Sequence, residues 1–291
     1  MKNLTFELVT NKIIATLERG VVPWRKPWST GYQAPINAIS QRQYRGVNTL
    51  LLGMEPFEDN RWLTFHQARE LGGSVKAGEK GSMVVFWKQW EREEDEDGEE
   101  PTRTVIPILR YFNVFNAEQC ENLPLPPLAR IPTLSDEDRI TRAEALVTAM
   151  PKPPFIEESG DQAWYLADRD LIRIPPLSRF HTIDGYYSTL FHELVHSTGH
   201  PSRLNRKFVR ERLHFGSEGY SREELVAELG SAFCCALVGI DNTITDNANY
   251  IASWLSVLRG DCREIVFAAA QAQKATDYIR GISYPGNLNN K

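Results

Sequence analysis

Between Cys120 and Asp138 the chain reads CENLPLPPLARIPTLSDED, with Pro124, Pro126, Pro127 and Pro132 and no apolar period. Such a run continues neither a helix nor a central strand, because each proline lacks a backbone donor and fixes φ. It divides the 291 residues into two parts, and residues 121–135 read as a stiff extended linker between a domain at 1–120 and one at 136–291.

The two parts differ in pattern. In the first, Leu4, Leu8, Ile13, Ile14 and Leu17 keep a helical period that Gly20 and Pro23 end. RWLTFHQARELGG reads as a short strand running into a helix that stops at Gly72-Gly73. Met83–Trp90 and Thr104–Asn116 are β-rich runs, and the acidic stretch 91–103 between them reads as a solvated hairpin loop. In the second part Asp136–Met150 reads as a helix, and Gln162–Pro176 as a hairpin about an Asp-Arg-Asp turn. Helical segments follow at about 185–198, 221–239, 243–259 and 261–280, broken by Gly239 and Gly260. Strands followed by a run of helices predict an α+β chain: a small N-terminal α/β module with a twisted sheet, then a hairpin and helices.

Composition narrows the setting. With 42% hydrophobic and 24% charged residues the chain is of ordinary globular type. No apolar run approaches the ~18 residues that span a bilayer, and MKNLTFELVTNKII has no apolar leader core, so no membrane partner is expected. Cys120, Cys234, Cys235 and Cys262 form no CxxC pair and read as reduced thiols of a cytoplasmic protein. The net charge of −5 is uneven: residues 1–90 are net basic, whereas EREEDEDGEE at 91–100 is strongly acidic. The overall balance speaks against a nucleic-acid binder, but it leaves a basic N-terminal region open.

Three of the six histidines fall in STLFHELVHSTGH, Ser188–His200. On a helix, His192 and His196 stand one above the other and can share one metal ion. Glu193, about 100° round the helix from His192, is poorly placed as a third ligand but can act as general base on a water at the metal. This is the H-E-x-x-H arrangement, and zinc suits it. Tyr187, Leu190, Phe191, Leu194 and Val195 supply the packed side of the helix. The later segment REELVAELGSAF carries Glu224 and Glu228, again four apart. One can bind the metal while the other hydrogen-bonds a ligand histidine, and spacing alone does not say which. His200 follows His196 too closely for the longer three-histidine zinc motif and reads as near the site without being a ligand. For an oxyanion donor the candidates are Tyr186, Tyr220, His200 and His214.

The arrangement resembles that of the gluzincin metallopeptidases, in which H-E-x-x-H is followed some tens of residues later by E-x-x-x-D/E. The resemblance implies Glu224 as third ligand and Glu228 as the carboxylate behind a ligand histidine.

Five of the seven tryptophans lie in the first 90 residues. Arg25 and Lys26 sit between Trp24 and Trp28, Arg42 and Arg45 flank Tyr44, and Arg61 abuts Trp62. Aromatics among cations suit single-stranded nucleic acid, whose bases stack on rings and whose phosphates meet the charges. The plainer reading, that these tryptophans fill a small core, stays open on composition.

PWRKPW, INAISQRQYRGVNTLLL, RWLTFHQARELGGSVKAGEKG and VVFWK resemble the N-terminal single-stranded-DNA-binding domain of ArdC-like antirestriction proteins, a domain similar to part of plasmid conjugation primases. DLIRIPPLSRFHTIDGYYSTLFHELVHSTGHPSRLNR and YSREELVAELGSAF resemble the metallopeptidase-like domain of the same proteins. The resemblance implies a plasmid or phage protein that shields incoming DNA from host restriction endonucleases. Its N-terminal part would bind single-stranded DNA without sequence preference. Its C-terminal part would hold zinc, or another divalent metal such as manganese. Whether it cuts a protein does not follow from the resemblance: peptidase competence is read from an intact Glu193, and host restriction enzymes or another protein substrate are the candidate protein partners. The alternative is a metalloprotease whose N-terminal domain recognises an unknown protein.

Overall fold

The structure, a computed structural model, describes residues 4–24, 34–94, 102–128, 134–206, 218–241 and 248–282. The chain forms two compact units: Met1–Lys12 with Pro35–Leu128, and Ile13–Ala34 with Ala129–Lys291. The division falls inside the first helix, α1 (Leu4–Leu17), so the second unit takes Ile13–Ala34 in addition to the chain beyond the linker.

The first unit is built on a mixed sheet. Its strands are β1 (Ile36–Asn37), β2 (Arg61–Leu63), β4 (Ser82–Glu94) and β5 (Thr102–Asn116), in the order β1-β2-β5-β4. β1 and β2 run parallel, and the other pairs are antiparallel. β3 (Ser74–Val75) and β6 (Cys120–Glu121) form a second, small sheet. Helix α2 (Val47–Gly53) lies over β4, where the Asn48 side chain accepts from Val85 N at 2.7 Å and donates to Val85 O at 2.8 Å. That amide occupies the edge of β4 as a neighbouring strand would. Helix α3 (Phe65–Glu70) starts at a capping box in which Thr64 and Gln67 bond each other's backbone N–H, as the strand-to-helix reading of RWLTFHQ requires. Trp62, Leu52, Val84 and Val114 form one core cluster, with Tyr44 and Phe57 packed against it.

The second unit is strands, then helices. Ser135 and Asp138 form the capping box of α4 (Asp136–Thr148), whose first turn is acidic, as the helix dipole favours. A three-stranded sheet has the order β7-β9-β8, with β7 (Phe155–Glu158) parallel and β8 (Trp164–Leu166) antiparallel to β9 (Leu171–Ile174). The hairpin of the sequence reading is β8–β9, with Asp170 at φ 49° closing its turn. Strand β7 carries no alternating pattern that would have flagged it. Helices α5 (Ile183–Thr198), α6 (Glu218–Val238), α7 (Ala248–Gly260) and α8 (Glu264–Ile279) complete the unit. Tyr187, Leu190, Phe191, Leu194 and Val195 are all buried on α5, as the periodicity predicts. Trp24 is buried against Trp254 of α7, with ring centroids 5.1 Å apart.

The seam between α5 and α6 fixes the site. A Cβ on Gly230 would stand 2.7 Å from Val195 Cγ2, so only glycine allows the two helices this approach. Ser231 Oγ, next along α6, donates to Ser188 O at 2.8 Å and ties the helices again.

Candidate metal centre

Helix α5 begins where Thr182 Oγ1 accepts from Gly185 N, and it runs to His196 and Thr198 with one side buried. One turn apart on it, His192 Nε2 and His196 Nε2 come to 3.1 Å. From α6, Glu224 brings Oε2 to 3.4 Å from His192 Nε2 and Oε1 to 3.4 Å from His196 Nε2. A metal that holds imidazole and carboxylate donors at ~2.0–2.2 Å in a tetrahedral array sets them ~3.3–3.5 Å apart. The donor separations here fit that size. His192, His196 and Glu224 are the metal-ligand cluster among the described residues.

A buried shell holds the donors in place. Glu223, adjacent to Glu224, reaches His196 Nδ1 at 3.4 Å. Arg206 grips Glu223 with two donors, Nη2 to Oε1 at 2.6 Å and Nε to Oε2 at 3.1 Å. The same guanidinium donates to Val195 O at 2.7 Å and to Thr198 Oγ1 at 2.6 Å, which closes the carbonyl end of α5. Arg203 adds a second clasp: its Nε donates to Ser197 O at 2.7 Å, and its guanidinium pairs with Asp170 of the β8–β9 turn. Two arginines of HPSRLNR thus anchor the end of the ligand helix.

The electrostatics follow from this packing. Burial works to lower the His196 pKa, but the Glu224 charge, the contacts of Glu223 and Glu224 and the Glu193 charge raise it well above the ordinary value. Burial works to raise the Glu224 pKa, yet the charge of His196 and the bond from His192 hold it far below the usual carboxylate range. For Glu223, Arg206 and His196 likewise outweigh burial and keep the carboxyl low. Without an ion the pocket favours an ionised Glu224 beside an imidazole that holds a proton, and a divalent cation would take that proton's place, since ligand imidazoles must be neutral.

Of the residues singled out in the sequence, His192, His196 and Glu224 come together. Glu193 is buried between the histidines along α5, and its charge is felt at His196. Glu228 is buried, and its charge is felt at His192. The carboxylate that the structure sets against a ligand imidazole's Nδ1 is Glu223, which the sequence reading passed over. Its signal was present but ambiguous, because two adjacent glutamates at the right distance cannot be told apart without the helix crossing. His200 stands outside the triad, with its Nδ1 accepting from Ser202 N at 3.2 Å. Tyr186 hydroxyl donates to Glu158 at 2.7 Å, and His214 lies outside the described residues.

The nucleic-acid candidates divide. Trp24 and Trp62 are 1% and 2% exposed, so neither offers a ring to a base, and the reading of them as stacking residues is corrected. Their size made them core: Trp62 fills the sheet cluster and Trp24 packs on Trp254. Arg25, Lys26 and Trp28 lie outside the described residues. Arg42 and Arg45 are exposed on either side of half-buried Tyr44.

Comparison with known proteins also finds two modules in order, although the first of them includes Ile13–Ala34, which the structure groups with the second unit. A family model described as the N-terminal domain of anti-restriction factor ArdC matches residues 5–115, and one described as a zincin-like metallopeptidase matches residues 141–271. The crystal structure of the antirestriction protein ArdC from plasmid R388, in its metal-free form, is similar with a TM-score of 0.78 at 38% identity, over 94% of this chain and 96% of that one. Its Mn(II)-bound form is similar with a TM-score of 0.76 at 37% identity, over the same shares of the two chains. A Sinorhizobium fredii protein, y4eC, uncharacterised, is 36% identical over 94% of this chain and 91% of its own length. The DNA primase TraC of Escherichia coli is 35% identical over 94% of this chain, which spans only 27% of the primase. With both modules matched in order and nearly the whole length of an ArdC structure covered, the chain belongs to the ArdC antirestriction family.

Proposed function

We propose that this protein protects incoming DNA from host restriction, binding single-stranded DNA through its first unit and holding a catalytic divalent metal, zinc or manganese, in its second. The donor triangle of His192, His196 and Glu224, at 3.1–3.4 Å, carries the reading. The Mn(II) of the R388 relative and the zincin-like match of residues 141–271 support it.

A bound cation would polarise a peptide carbonyl and make water nucleophilic near neutral pH. The chain's own part is positioning and proton transfer. His192 and His196 present Nε2, and Glu223 fixes the ring of His196 while Arg206 fixes Glu223. The Glu193 carboxylate receives a proton from the attacking water and returns it to the leaving amine. A metal held only for structure would have no use for that carboxylate. The substrate of such hydrolysis would be a restriction enzyme or another host protein.

Metal analysis of the purified chain tests the site: about one divalent ion per chain is expected, and His196→Ala should lose it. Unchanged metal content in that variant overturns the ligand assignment. Transfer of unmodified plasmid into a restricting host tests the role. Wild-type chain should raise recovery, and no gain over an empty vector would overturn it. Glu193→Gln should keep the ion and lose any proteolysis; protection that survives in this variant would show that hydrolysis is dispensable.

A further inference from the structure

With Trp24 and Trp62 in the core, stacking surfaces must be sought elsewhere. In the first unit, exposed aromatic side chains gather on the β4–β5 ribbon. Phe86, Trp87, Tyr111 and Phe112 are 48%, 50%, 48% and 51% exposed. Directly opposed residues of an antiparallel ladder share a face. The register Val84↔Phe112, Phe86↔Arg110 and Lys88↔Ile108 therefore puts Phe112, Phe86, Arg110 and Lys88 on one face. Phe86 and Phe112 are diagonal neighbours with ring centroids 5.9 Å apart. Toward the base of the ribbon the same face is core: Val84 and Val114 pack with Trp62, and Tyr44 lies against that cluster. The core face thus runs outward past its cover and ends in bare rings beside two exposed cations. The opposite face is covered in part, since Trp87 meets Phe6 of α1 at 5.9 Å.

Charge indicates the occupant. No Asp or Glu occurs in Ser82–Gln89 or Pro107–Asn116, nor from Arg19 through Met54, the segment that supplies Arg42, Tyr44 and Arg45. Rings for bases, cations for phosphates and no carboxylate among them suit a single-stranded polyanion. A protein strand adding to the edge is disfavoured, because the Asn48 amide already takes both backbone groups of Val85. Farther out along the ribbon the acidic run begins at Glu91, which confines a polyanion to the inner half.

We infer that single-stranded nucleic acid lies on this face of the ribbon, its bases stacked on Phe86 and Phe112 and its phosphates met by Arg110 and Lys88. Tyr44 and its flanking arginines continue the track. The inference rests on the single-stranded-DNA reading above and names the surface that performs it.

Fluorescence anisotropy of a labelled oligothymidylate with the full chain tests it. Phe86→Leu/Phe112→Leu keeps apolar bulk and removes both rings. It should weaken binding by roughly tenfold or more per ring with an unchanged melting temperature. Arg110→Ala/Lys88→Ala should weaken binding and reduce the salt slope by about two. If wild-type chain binds and either double variant binds as tightly, this surface is overturned while the DNA-binding reading stands. If wild-type chain shows no binding at low salt, both are overturned. Retained oligonucleotide binding with loss of a protein partner in the ring variant would reassign the face to protein.

Discussion

At the scale of residues, the site depends on groups that spacing alone could not rank. His192 and His196 were legible because a helix converts a four-residue interval into a shared direction. Glu224 was legible as one of two acids, and Glu223 was hidden beside it. Glu223→Gln keeps the shape and removes the charge against His196 Nδ1. It should weaken metal retention about 10- to 100-fold, read by competition with a chelator. Glu223→Ala should cost about 3–5 kcal/mol of stability, because Arg206 is then buried without its counterion, and chemical denaturation reads that loss. The tryptophans were illegible for a different reason: a ring that stacks on bases and a ring that fills a core have the same composition, and only tertiary exposure separates them. A second test at this scale concerns Asp170. Burial would raise its pKa, but Arg203 and the Tyr165 hydroxyl hold it below the ordinary carboxylate value. A depressed folded-state pKa contributes stability above the unfolded value, near pH 4, which is lost as pH falls through the folded one. Asp170→Asn should therefore lower the melting temperature at pH 6, and its deficit should shrink toward pH 3.

At the scale of elements, the fold was legible wherever a period ran long enough. α1, α4 and the helices of the second unit follow apolar spacing, and β4 and β5 follow β-rich runs. The two-residue strands β1, β3 and β6, and the parallel pairing of β7 with β9, rest on distant partners that a local window cannot see. The decisive element-level feature is the α5–α6 seam, where α6 delivers both glutamates to the histidines. Gly230→Ala would force a methyl against Val195, which α5 cannot yield without moving. A cost of about 1–3 kcal/mol is expected from denaturant melts, together with weaker metal binding as Glu224 is pushed back. Gly230→Ala with Val195→Ala should recover much of both. Recovery of neither would show that the seam does not set the ligand position.

At the scale of the whole molecule, the chain divides into two units, and the ownership of the N-terminal residues could not be read from sequence order. Ile13, Leu17, Val22 and Trp24 are buried and belong to the second unit. A fragment of residues 136–291 lacks them and leaves Trp254 without the ring it packs against. Large-to-small losses of aromatic core cost about 3–5 kcal/mol, and each kcal/mol shifts a domain of this size by about 2–4 °C. The fragment is therefore expected to melt ~10 °C or more below the full chain in a thermal scan, and a fragment as stable as the parent would refute the assignment. The division inside α1 also bears on inheritance. A recombination junction placed anywhere between that helix and the linker would cut Ile13, Leu17, Val22 and Trp24 off from the rest of the second unit, so the two parts are expected to be inherited together, as one cassette. Its near-complete appearance within a primase several times longer is what such a cassette would leave behind.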